Sequence, residues 1–143
     1  MSRTRSSILA AALAAAALAP GALAAAAATT TLHATMSGKA EVPKAGTGSG
    51  SARLTLDPTK GQICYTITLK GVGTAMAGHI HKGAKTVAGP IVVPLFTKPT
   101  THPNGCVTAK STVIKAIQTH PSSYYVNVHT AKYPAGAARG QLH

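Results

Sequence analysis

Two triplets hold the residues of this chain best placed to do chemistry: His79-Ile80-His81 and Asn127-Val128-His129. In a strand, residues i and i+2 share a face, so each triplet turns its polar ends one way and its aliphatic middle the other. If the two strands are near neighbours, three imidazoles converge. Three nitrogen ligands with no adjacent carboxylate suit copper or zinc, whereas calcium and magnesium need oxygen. The same residues also suit a plain polar face, in which the imidazoles hydrogen-bond to one another, to Asn127 and to loop carbonyls. The spacing leaves both readings open.

The other reactive groups are sparse. Cys64 and Cys106 are the only cysteines, and in an exported chain two cysteines are expected to pair. The bridge would close a loop worth on the order of 4 kcal/mol in the chain-entropy model. A thiol ligand or a reactive thiol is the alternative. His33, His102, His120 and His143 are read as surface residues, with His143 at the chain end free to swing toward a site. Nucleophilic catalysis finds no support, because there is no Gly-x-Ser-x-Gly elbow, no Cys beside a His and no Gly-rich phosphate loop.

The elements that must position these groups are short strands punctuated by Gly and Pro. Thr31 to Ser37 is the first, followed by a loop from Gly38 to Gly48. Ser49 to Leu56 places Ala52, Leu54 and Leu56 on one face, and Gln62 to Lys70 does the same with Ile63, Tyr65, Ile67 and Leu69. Between them Asp57-Pro58-Thr59-Lys60-Gly61 is a turn: Pro presets φ, Asp bonds back to the backbone and Gly accepts positive φ. Ala77 to His81, Pro90 to Phe96, Asn104 to Ala109, Tyr124 to Thr130 and Ala137 to Leu142 are further strands. Ser111 is placed to cap a short helix carrying Val113, Ile114 and Ile117, which ends before Pro121. This pattern predicts an all-β sandwich or barrel with one short helix.

The start of the chain belongs to another class. Arg3 and Arg5 precede the apolar run Ile8 to Ala19, then the helix break Pro20-Gly21 and the small residues Ala22-Leu23-Ala24, the grammar of an export signal. Residues 1–24 are expected to be removed, with cleavage as late as residue 28 allowed by the polyalanine run. Residues 25–31 read as a flexible leader and 32–143 as the domain. After signal cleavage no further span is expected, since about 20 predominantly apolar residues are needed to cross a bilayer. The expected location is secreted, periplasmic or cell envelope.

Fourteen Lys and Arg, of which all but Arg3 and Arg5 lie in the expected exported part, stand against two acids, Glu41 and Asp57. Such a domain associates with anionic partners. The lysines are scattered, without a basic run or interleaved aromatics, so specific nucleic-acid recognition is not expected. An anionic envelope polymer or a protein partner is.

Four stretches then resemble one family: Gly78-His79-Ile80-His81-Lys82-Gly83, Gly89-Pro90-Ile91-Val92, Tyr125-Val126-Asn127-Val128-His129-Thr130, and Pro134 through Leu142. With Glu41-Val42-Pro43 near the start, they are similar to the CHRD domain, named from chordin and present in secreted microbial proteins. The resemblance implies an immunoglobulin-like β-sandwich or barrel, distantly like copper/zinc superoxide dismutase. It implies no settled activity. Against the dismutase pattern, His79, His81 and His129 match the copper-holding set, but no His/Asp cluster for zinc lies between His81 and His129, so dismutase activity is not expected. Glu41 and Arg139 both lie in family motifs and are expected to form an ion pair fixing the first loop to the last strand. The resulting expectation is a non-enzymatic exported module that binds a protein or envelope polymer. Copper or zinc sequestration through the three histidines is the alternative.

Overall fold

The computed structural model describes residues 27–143, so the export-signal reading of residues 1–24 lies outside the described residues. Eight strands form one sheet: β1 Thr30–Ser37, β2 Ser49–Asp57, β3 Gln62–Lys70, β4 Ala75–Lys82, β5 Ile91–Phe96, β6 Asn104–Thr108, β7 Tyr124–Thr130 and β8 Ala138–Gln141. Their order is β5-β4-β7-β8-β1-β2-β3-β6, every pairing antiparallel. The two end strands β5 and β6 come together without a ladder, so the sheet nearly closes on itself. This is the all-β architecture expected, in its barrel form.

Alternation decides which way each strand faces. Leu32, Ala34 and Met36 of β1, Ala52, Leu54 and Leu56 of β2, and Ile63, Tyr65 and Ile67 of β3 fill the interior with Ile80, Val93, Leu95, Val126 and Val128. The β2–β3 hairpin is set by its turn: Asp57 Oδ1 accepts from the N–H of Thr59 (3.0 Å) and Lys60 (2.9 Å), and Gly61 takes φ 62°. The hairpin brings Cys64 opposite Cys106 of β6 on the outer face, where they are disulfide-bonded.

The helix α1, Ser111–Thr119, packs against β2 and β3 with Ile114 and Ile117 fully buried. Its N-cap is Lys110, with no side-chain capping bond, and Ser111 is already helical. The expected Ser cap is therefore corrected by one residue, and burial of the apolar stripe holds the helix instead. Gln118 Nε2 reaches across to Thr30 Oγ1 (3.0 Å) and the Ala28 carbonyl (3.0 Å). Thr30 and Thr31 are paired with Leu56 and Thr55, so the end of the expected flexible leader is strand. Among the described residues no helix is long and apolar enough to cross a membrane.

Candidate metal centre

The strands β4 and β7 are direct neighbours, in the register His79↔Asn127 and Ala77↔His129. His79 and His129 are thus diagonal neighbours on one face, a separation that long side chains bridge. Ile80, Val126 and Val128 point into the core with no exposure, as the triplets predict. The His79 and His129 ring centroids are 4.8 Å apart, and His81 lies 5.7 Å from His79 and 6.2 Å from His129. One ligand nitrogen from each of the three falls within 4.8 Å of the others.

Hydrogen bonds orient the rings. His81 Nδ1 lies 2.8 Å from the Gly89 carbonyl and His129 Nδ1 lies 2.9 Å from the Pro134 carbonyl. A carbonyl only accepts, so both Nδ1 atoms carry hydrogen, and in the neutral ring each Nε2 presents a lone pair. The His129 lone pair faces His79 Nδ1 at 3.0 Å. The His81 lone pair is buried and meets no partner. Gly89 accepts this bond at close quarters, since a Cβ there would strike the Lys82 carbonyl. Tyr125, at i−2 from Asn127, extends the same face. Its ring stacks on His81 at 4.9 Å and 9°, and its hydroxyl accepts from Gly89 N at 3.0 Å.

Burial first, then the neighbouring imidazoles of His129 and His81, push His79 down to about 4. His81 is also lowered, chiefly by burial; its bond to Gly89 opposes this, and His129 and Arg139 add to it. Both rings are thereby held neutral at physiological pH, the form a metal ligand requires.

The expected Glu41–Arg139 ion pair is corrected. Arg139, only 2% exposed, donates from Nη1 to the Val87 carbonyl (2.9 Å) and from Nη2 to the Ala84 carbonyl (3.0 Å), with its guanidinium 3.4 Å above the Tyr125 ring. Glu41, 3% exposed, accepts instead from Asn127 Nδ2 at 3.1 Å. Among the described residues the one ion pair within 4.0 Å is Lys60–Asp57. The loop between β4 and β5 folds over the sheet and offers Arg139 two carbonyls, which satisfy its planar fork without a carboxylate. Arg139 still lowers the Glu41 pKa from a distance, but burial outweighs it and the carboxyl rises to about 7.

His33, His102, His120 and His143 are exposed, as read from the sequence. His143 does not swing toward the cluster, because its N–H and carbonyl are both bonded to the backbone of His33 (3.0 and 2.9 Å). The pieces absent from the sequence reading are Tyr125 and the Gly89 and Pro134 carbonyls. Tyr125 was signalled by the i, i+2 spacing that marked Asn127 and His129; the two carbonyls had no signal.

No curated protein and no solved structure matched this chain. The CHRD domain family model matches residues 32–142, and the chain belongs to that family.

Proposed function

We propose that this CHRD domain is an exported metal-binding module whose copper or zinc ion is held by His79 Nδ1, His81 Nε2 and His129 Nε2. One observation carries the reading: the buried lone pair of His81 has no partner in the protein, beside two imidazoles that already share a short contact. An unpaired buried acceptor costs about 1–3 kcal/mol, and a cation among the three rings removes that cost. The outward bonds of His81 and His129 to carbonyls are the second-sphere arrangement that orients histidine ligands. To ligate through Nδ1, His79 would carry its proton on Nε2 instead, and the ring would stay neutral. Zinc–nitrogen bonds of about 2.0–2.1 Å in a tetrahedron would place nitrogens about 3.4 Å apart, so the widest separation, within 4.8 Å, would have to close by up to about 1.4 Å. With only three ligands, a fourth position is left for water. No catalytic step is assigned, in keeping with the missing second His/Asp set.

Calorimetric titration of Cu²⁺ and Zn²⁺ into the chain and into His79→Ala, His81→Ala, His129→Ala and His102→Ala tests the proposal. Each of the first three is expected to weaken binding at least about ten-fold, while His102→Ala leaves it unchanged. Equal affinities in all four would reduce the cluster to a hydrogen-bonded polar face.

A further inference from the structure

The outward face of β1, β2 and β3 is built differently from the histidine face. Cross-strand register lines up Thr35, Ser51 and Thr68 in one rank, and His33, Arg53, Thr66 and Asn104 in the next. All seven are exposed. Two grooves of about 420 and 430 Å³ run over these ranks and share Thr66 and Thr68. Among the described residues the Thr35, Ser51, Thr66 and Thr68 hydroxyls have no hydrogen bond within the chain, and Arg53 has no ion pair. A folded surface thus presents a set of uncommitted donors.

Three features say what those donors fit. The first is charge. The chain has two acids; Glu41 is buried and Asp57 is held by Lys60 at 3.6 Å, so neither offsets Arg53. The second is repeat. Neighbouring strands lie about 4.8 Å apart and alternate residues along a strand about 6.7 Å apart, so the hydroxyls form a grid that serves recurring acceptors rather than one ion. Tetrahedral phosphate, with acceptor oxygens in several directions, meets such a grid from one side while guanidinium binds it from another. The third is composition. No Phe, Tyr or Trp points outward from these strands, so bases have no stacking platform.

We propose that this face docks a phosphodiester-linked cell-envelope polymer, its phosphates held by Arg53 and by the hydroxyls of Thr35, Ser51, Thr66 and Thr68. The inference stands apart from the metal reading, because none of its residues belongs to the histidine cluster.

The test uses purified poly(glycerol phosphate) as the probe, titrated into the full chain at low and at physiological salt. Arg53→Gln and the double variant Thr66→Val, Thr68→Val are compared with Lys115→Gln, which removes the same charge as Arg53→Gln from the exposed side of α1. Both groove variants are expected to lose about ten-fold or more in affinity, the equivalent of one charge-assisted hydrogen bond. Lys115→Gln should stay within about two-fold, as a remote screened charge does. Thermal melts keep folding separate, since every altered side chain is exposed. Equal loss in Arg53→Gln and Lys115→Gln would mean diffuse attraction to a cationic protein and overturn the site. Absence of binding by the wild-type chain would overturn it as well. Equally tight binding of polygalacturonate or single-stranded DNA would overturn the phosphate assignment.

Discussion

Glu41→Gln isolates the cost of a buried carboxyl. Glu41 is 3% exposed, accepts one bond from Asn127 Nδ2 and leaves Oε1 without a partner. Burial therefore favours its neutral form and raises the carboxyl from 4.5 to about 7, against the opposing pull of Arg139. Between those two values the folded protein binds more protons than the unfolded chain, so stability is full below pH 4.5 and falls as pH rises through 7. The whole window corresponds to about 3 kcal/mol, of which about 2–3 kcal/mol falls between pH 5 and pH 8. Gln keeps the size and the acceptor for Asn127 but cannot ionise. Its new amide adds a pH-independent offset that the comparison removes. His79 contributes the opposite slope at lower pH, but equally in both proteins. Urea unfolding of wild type and Glu41→Gln at pH 5 and pH 8, with chelator present, is expected to show the variant gaining about 2–3 kcal/mol relative to wild type across that interval. Parallel behaviour to within about 0.5 kcal/mol would refute the buried-carboxyl reasoning. Glu41 would then be reaching solvent or a closer cation.

Two further outcomes follow from the same framework. Replacing Cys64 and Cys106 together by Ala should lower unfolding free energy by up to about 4 kcal/mol, since the bridge spans a sequence separation of 42 and removes that much loop entropy from the unfolded chain; a denaturation midpoint equal to that of the oxidised protein would contradict it. In metal-free protein the His79 imidazole should titrate near pH 4 by NMR. Its folded pKa lies below its unfolded one, so its contribution to stability is present above about 6.5 and is lost as pH falls toward 4. An ordinary titration near 6.5 would show that His79 is hydrated rather than enclosed.

Much of this protein could be read locally. Ile63, Tyr65 and Ile67 alternate along β3, and Asp57 through Gly61 contains every device its turn uses, so the hairpin and its inward face were legible from residues a few positions apart. The two triplets likewise announced which side each histidine would take, because facing alternates with a period of two whatever the strand pairs with. The preference for a disulfide and the basic surface were matters of composition.

What tertiary structure decided was partnership. Convergence of His79 with His129 depends on β4 lying beside β7 in the register His79↔Asn127, and another strand order would have separated them with the same alternation intact. The tautomers of His81 and His129 depend on carbonyls of Gly89 and Pro134, which have no side-chain signature. Arg139 shows the same limit in reverse. Opposite charge pointed to Glu41, but the loop between β4 and β5 brought the carbonyls of Ala84 and Val87 to the guanidinium, and the carboxyl was left to Asn127 and to its own neutral form. Side-chain type and spacing are properties of a short stretch of chain, whereas a hydrogen-bond partner is whichever group the closed sheet and its covering loops carry within about 3 Å.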